Sequence, residues 1–288
     1  MENNTTILEG FATAPTQSEV NALLESIKSK VSQNTNSEVY KLCYSLIDLT
    51  TLASEDSIDS VRSFARSAVD FLSERPDIPP VASLCVYPPF VEVVGLEIDG
   101  TPLKITAVAG GFPSSQTFME VKALESAMAV ESGADEIDVV LNVGMMLSGR
   151  YEEAQSEIAL LRDEVGADTV LKVILESGAL AEPSLIYIGA MLSMCAGTDF
   201  VKTSTGKQSP AATPEAAVVM CLAIKEFYEK RGAKIGFKAA GGIRTAQDAA
   251  LYYTIVGEIL GEGWLTPDLF RLGASSLAAE LVAEIDRS

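Results

Sequence analysis

Lys202 and Lys238 lie in two short apolar runs, Asp199–Thr203 and Lys234–Lys238, separated by one helical pattern. If those runs are neighbouring strands, the lysines stand on chains about 4.8 Å apart. Two ammonium groups so close repel, one pKa falls, and a neutral amine becomes available near pH 7. Such an amine attacks a carbonyl to form a Schiff base. Asp138, in the run Glu136–Leu141, is the carboxylate suited to the proton transfers that carbinolamine dehydration and enamine formation require. This chemistry needs neither imidazole nor metal, and no cofactor is expected. The chain has no histidine, which excludes Ser-His and Cys-His dyads and His-ligated zinc.

A second constellation suits an anion. Gly241-Gly242 follows the run holding Lys238, and Gly273-Ala274-Ser275-Ser276 opens the last helical pattern. Glycines let backbone N–H groups approach a phosphate, and a helix N-terminus adds its dipole. One glycine pair alone is more often an ordinary tight turn. Two such stretches at the loops that bind phosphate in barrel enzymes favour the anion site. Thr203-Ser204-Thr205-Gly206-Lys207 adds hydroxyls and a cation beside them.

The elements that must position these groups follow a rhythm. The apolar runs are Tyr44–Leu49, Val81–Val86, Ile105–Ala109, Glu136–Leu141, Val170–Leu175, Asp199–Thr203, Lys234–Lys238 and, weakly, Leu269–Gly273. Helical patterns alternate with them at Ile58–Leu72, Phe90–Leu96, Thr117–Glu131, Tyr151–Val165, Leu185–Met194, Pro214–Tyr228, Ala246–Leu260 and Ser276–Ile285. Eight strands alternating with eight helices imply a parallel α/β sheet, either open and doubly wound or closed. The count, and a core of about 250 residues, favour the (β/α)8 TIM barrel. No GxGxxG follows the first run, so a dinucleotide-binding version has no support. An additional N-terminal helix is expected over residues 17–34, after a flexible arm at 1–16. The organisation is therefore 1–39 as arm and helix and 40–288 as the barrel.

Strand parity then sorts the side chains, because alternate residues must be apolar where they face the helices. Ile137 and Val139 outward turn Glu136 and Asp138 inward; Leu171, Val173 and Leu175 outward turn Lys172 and Glu176 inward. The same rule turns Asp48, Lys202 and Lys238 to the axis. Asp48, Asp138, Lys172, Glu176, Lys202 and Lys238 are thus gathered on one line. The bland alternative is a self-neutralising structural ion network. Most of the six sit late in their strands, where polar residues in this fold serve catalysis.

Composition bounds the partners. Forty acidic against 21 basic residues give a net charge of -19 at pH 7, which argues against nucleic acid and anionic membrane. Cys43, Cys85, Cys195 and Cys221 are far apart and form no CxxC pair, which fits a reducing cytoplasm. The first residues carry no secretory or transit pattern, and no segment is long and apolar enough to cross a bilayer.

At these residues the sequence resembles the deoxyribose-phosphate aldolase family, class I aldolases with a (β/α)8 barrel. The resemblance is carried by Ala134–Val140, Leu171–Glu176, Asp199–Lys207, Gly236–Thr245 and Gly273–Ser276, in order, from about residue 40 to 285. It implies Lys202 as the Schiff-base lysine, Lys238 as the group that lowers its pKa and Asp138 as the acid-base partner. It implies that Lys207, Gly206, Gly241, Gly242, Ser275 and Ser276, with Thr205 nearby, hold a substrate phosphate. Asp48 is implied at the substrate mouth and Cys85 near it, although a buried small hydrophobe is the better reading of Cys85. Lys172, turned inward by parity, is counted with Lys202, Lys207 and Lys238 as the local cluster that draws the anionic substrate. The implied reaction splits 2-deoxy-D-ribose 5-phosphate into D-glyceraldehyde 3-phosphate and acetaldehyde, by a cytoplasmic homodimer. Some members carry a terminal tyrosine; this chain ends Glu284–Ser288, so that contribution is expected to be missing. The rivals are another Schiff-base phosphosugar barrel, such as a transaldolase-like enzyme, and a phosphosugar-binding barrel without chemistry.

Overall fold

The computed structural model describes residues 10–287. Its strands are β1 (Ile47–Thr50), β2 (Ser83–Val86), β3 (Lys104–Val108), β4 (Glu136–Val140), β5 (Val170–Ile174), β6 (Phe200–Lys202), β7 (Gly236–Ala240) and β8 (Phe270–Ala274). All are parallel, each pairs with the next, and β8 pairs back onto β1 to close the barrel.

The helices in chain order are α1 (Gln17–Lys28), α2 (Ser37–Ser45), α3 (Ile58–Glu74), α4 (Val91–Ile98), α5 (Met119–Glu131), α6 (Val143–Leu147), α7 (Tyr151–Val165), α8 (Ser177–Leu180), α9 (Pro183–Cys195), α10 (Pro214–Arg231), α11 (Ala246–Leu260) and α12 (Leu277–Arg287). The expected eight-and-eight rhythm holds. Ile137, Val139, Leu171, Val173, Val201, Phe237 and Leu272, the outward set of the strands, are fully buried beneath this shell. That burial fixes the register, because a slip of one residue would drive Asp138, Lys172 and Lys202 into the apolar layer.

The N-terminal part departs from expectation in three ways. The 17–34 helix stops at Lys28, and a separate 3-10 turn follows at Val31–Asn34. Short polar side chains capture backbone carbonyls there, Ser29 Oγ to Ser26 O at 2.7 Å and Thr35 Oγ1 to Ser32 O at 2.8 Å. The apolar run that begins at Tyr44 is helix before it is strand. Tyr40, Cys43 and Tyr44 cover one buried face of α2, and β1 starts only at Ile47. The 39/40 boundary therefore falls inside α2, which packs on α11 and α12 as part of the barrel shell.

Of the arm expected over 1–16, residues 1–9 lie outside the described residues, and the rest is tied down. Phe11 stacks on Phe227, and Ala12 N–H donates to Glu226 Oε1 at 2.6 Å. Thr16 and Glu19 form a capping box that starts α1.

Candidate active site

The axis of the barrel carries a continuous chain of charges. Lys202 Nζ and Lys238 Nζ stand 2.8 and 2.7 Å from the same oxygen, Asp138 Oδ2. Lys172 Nζ takes the other oxygen at 2.9 Å and reaches Glu136 Oε2 at 2.6 Å. Lys238 also meets Asp48 Oδ2 at 2.5 Å. Arg271 completes the chain, pairing with Asp48 and, through Nη2, with Glu136 Oε1 at 2.7 Å. Ser83 donates to Asp48, and Thr106 to Glu136, at 2.8 and 2.9 Å. None of these seven charged groups is more than 3% exposed. Burial on this scale is tolerable only because every charge has a partner.

Register explains the convergence. Lys202 lies directly opposite Lys238 across the β6–β7 pair, and Asp138 opposite Lys172 across β4–β5. Next to them the backbone must leave room. A Cβ on Gly273 would meet Ala240 Cβ at 2.8 Å and Lys238 Cε at 3.2 Å, so glycine there gives Lys238 its place.

The two lysines differ electrostatically. Burial lowers Lys202; Asp138 opposes this, Lys238 adds to it, and the net proton affinity is below that of an ordinary lysine. Burial acts on Lys238 in the same sense, but Asp138 and Asp48 outweigh it and hold the group above the ordinary value. Lysine–lysine repulsion thus contributes to the lowered proton affinity, while desolvation is its largest cause. Burial alone would raise the Asp138 carboxyl, yet Lys172, Lys202 and Lys238 hold it well below the usual carboxylate range.

Above the axis opens a cavity of about 440 Å³. Lys202 reaches its wall, whereas Asp138 and Lys238 stand behind it. Thr205, Gly206, Lys207, Gly241, Gly242, Ser275 and Ser276 line the same cavity, so all the residues read as a phosphate cradle come together. Gly206, Gly241 and Gly242 have φ of 76°, 87° and 84°, a left-handed backbone that suits glycine. Lys207 Nζ donates to the Leu52 carbonyl, and Lys207 N–H to Thr205 Oγ1 at 3.0 Å. The N-terminus of α12 begins directly after Ser276.

Three expectations are corrected. Asp48 and Lys172 do not line the mouth; both are fully buried below it, held by Arg271, Lys238 and Ser83 on one side and by Asp138 and Glu136 on the other. Glu176 does not join the axis. It lies past the end of β5 with φ of 52°, and its carboxylate instead accepts from Thr205 Oγ1 at 2.5 Å. Cys85, by contrast, is the buried small hydrophobe expected, packed with Leu52 and Val108 beside Tyr87 and Phe112, and burial raises its thiol pKa.

Arg271 was missed by the sequence reading, and Glu136 was turned inward without a partner. The parity rule would have found Arg271, because Phe270 and Leu272 on either side of it are fully buried apolar residues.

Comparison with known proteins converges on one family. The family model described as DeoC/LacD family aldolase matches residues 47–265. The chain is 41% identical to the mouse deoxyribose-phosphate aldolase, over 83% of this chain and 78% of the relative. It is 40% identical to the human deoxyribose-phosphate aldolase over the same shares. Among solved structures, the tetrameric deoxyribose phosphate aldolase of Aeropyrum pernix superposes with a TM-score of 0.67 at 24% identity, covering 94% of this chain and 99% of that one, a likeness of fold. With a closed parallel barrel, a lysine pair on its axis and these matches, the chain belongs to the DeoC/LacD family of aldolases.

Proposed function

We propose that this aldolase is a deoxyribose-phosphate aldolase, cleaving 2-deoxy-D-ribose 5-phosphate reversibly into D-glyceraldehyde 3-phosphate and acetaldehyde through a Schiff base on Lys202. The observation that carries this is a buried lysine of lowered proton affinity on the wall of a cavity shared with two glycine turns and a helix N-terminus. The phosphate sits against Gly206, Gly241, Gly242, Ser275 and Ser276, with Lys207 as its cation. Anchored there, the open-chain sugar presents its aldehyde carbon to Lys202 Nζ.

Attack forms the carbinolamine, and loss of water leaves an iminium. The 3-hydroxyl gives up its proton, the C2–C3 bond breaks, and its electron pair moves into the iminium as an enamine. Glyceraldehyde 3-phosphate leaves. Protonation at C2 and hydrolysis release acetaldehyde and restore the amine. Asp138 and Lys238, within hydrogen-bond reach of Lys202 through one shared oxygen, pass these protons to and from water. The reaction belongs to deoxyribose and deoxyribonucleotide catabolism. Four free, widely spaced cysteines support a reducing cytoplasm, and the tetrameric state named for the A. pernix enzyme supports self-association, with a homodimer as the smallest assembly.

Borohydride reduction with deoxyribose 5-phosphate, followed by peptide mapping, is the test. The expected adduct is on Lys202. An adduct on Lys238 or Lys172 would overturn the assignment. No adduct would leave a binding barrel without chemistry. Release of dihydroxyacetone phosphate in place of acetaldehyde would move the substrate to another phosphosugar.

A further inference from the structure

The buried axis has a charge count that balances when one of its lysines is neutral. Its carboxylates are Asp48, Glu136 and Asp138; its cations are Lys172, Lys238, Arg271 and Lys202. With Lys202 protonated the chain of ion pairs carries one excess positive charge away from water. With Lys202 as the free amine it is neutral. A net buried charge is the costly state, so the count favours one neutral lysine. The contacts single out Lys202, which pairs with one carboxylate where Lys238 pairs with two and Lys172 with three.

The far members of this network touch no part of the cavity. Arg271 and Glu136 open toward the opposite end of the barrel, where they border a second recess with Lys104, Val170, Lys234 and Asp268 at the strand starts. Arg271 is clamped in place: it is 2% exposed, Nε donates to the Pro267 carbonyl, and the guanidinium lies 5.6 Å from the ring of Phe200. That ring fills the space left by Gly236, where a Cβ would approach it to 2.3 Å. Arg271 thus has a built seat, unrelated to any contact with substrate, whose effect is to fix one cation under the site.

We propose that Arg271 and Glu136 are positioning residues that set the protonation state of Lys202 from the far end of the barrel, by fixing the charge count of the ion-pair chain that ends at Asp138. Arg271 holds the count high enough to exclude a proton from Lys202, and Glu136 keeps it from rising further. Lys202 is faced directly by Asp138 on β4, Lys238 on β7 and Cys85 on β2; Lys172 on β5, Asp48 on β1 and Arg271 on β8 are linked to it through the ion-pair chain, and Glu176 and Lys207 lie past the strand ends. Of the four axial cations, only Lys202 loses proton affinity; Lys172, Lys238 and Arg271 gain it. The proposal rests on Lys202 as the Schiff-base lysine.

The experiment compares kcat/KM against pH for Arg271→Met, Glu136→Gln, Arg271→Lys and the double variant Arg271→Met/Glu136→Gln, with borohydride trapping and peptide mapping on each. The acidic limb of kcat/KM reports the free enzyme, and the substrate phosphate titrates alike in every variant. Arg271→Met removes a cation, so the limb should move up by about one pH unit. Glu136→Gln removes an anion and should move it down by a similar amount. Arg271→Lys and the double variant keep the count and should leave the limb near the parent position.

Opposite shifts are the signature, since a merely structural role would lower kcat in both without separating the limbs. Limbs that stay together, or that move the same way, overturn the proposal while trapping remains on Lys202. Should Arg271→Met not fold, Glu136→Gln, which keeps size and one hydrogen-bonding oxygen, decides alone: an unmoved limb overturns it. Trapping at another lysine in the parent enzyme would instead overturn the assignment of Lys202, a separate and distinguishable failure.

Discussion

Lys202 and Lys238 converge on a single oxygen, Asp138 Oδ2, at 2.8 and 2.7 Å. One carboxylate therefore orients the nucleophile and the second lysine together, while Lys172 holds its other oxygen. Asp138→Asn should lower kcat by about 10²- to 10⁴-fold, the range for loss of a positioned acid-base group. It should also destabilise the fold by about 3–5 kcal/mol, because it strands buried cations. Steady-state assays and urea melts read the two effects separately. Lys202→Ala leaves Asp138 paired with Lys172 and Lys238. It should abolish turnover and trapping yet keep a cooperative melt.

The phosphate turns give a prediction of a different kind. Gly241 has φ of 87°, and a Cβ there would meet Ala211 Cβ at 2.7 Å and Gly206 Cα at 3.1 Å. Gly241→Ala pushes the two turns apart and misaims their N–H groups. KM for deoxyribose 5-phosphate should rise roughly 10- to 100-fold, the cost of a charged hydrogen bond or two. Turnover of unphosphorylated 2-deoxyribose should change little. Equal losses on both substrates would show that the turn serves the barrel and not the phosphate.

Acid stability follows from the carboxylates. Asp48, Glu136 and Asp138 all have folded values below the ordinary ones, burial being outweighed by their cations. Each favours the folded chain fully above the unfolded value of about 4, and the contribution is lost as pH falls toward the folded value. Tm should fall steeply below about pH 4. A Tm that stays level from about pH 5 down to about pH 3 would contradict this.

On the outside of the barrel, Phe11 stacks on Phe227 and lies 5.0 Å from Lys230 Nζ. Phe11→Ala should cost about 1–2 kcal/mol in a urea titration, a half-buried ring and its stacking partner. kcat and KM should stay at the parent values, because no residue of the cavity touches it.

How far the sequence speaks for itself differs from residue to residue. Asp138, Lys172 and Lys238 were legible because each lies between apolar residues that had to face the helices, and Lys202 because Val201 before it had to; strand parity left them one direction. The glycine turns were legible because positive φ and close approach both demand glycine. What parity does not state is depth along the axis. Asp48 and Lys172 were assigned to the mouth, although two or three residues of strand separate mouth from floor and only the stagger of the strands decides which. Glu176 escaped for another reason: its backbone has left β5, and strand parity ends with the strand. The helix α2 was hidden because Tyr44–Leu49 is apolar under either periodicity, with helix and strand meeting at Leu46.

Arg271 reaches back 223 residues to Asp48 and 135 residues to Glu136. During synthesis, a nascent chain that has made the first seven strands holds every catalytic lysine and Asp138. It still lacks Arg271, the fourth cation set against three carboxylates. The excess charge that favours the free amine on Lys202 therefore arrives last, when β8 docks between β7 and β1. Products that end before β8 retain three carboxylates against three protonated lysines and lose the charge that favours the free amine. Translation order thus couples completion of the polypeptide to competence of the active site.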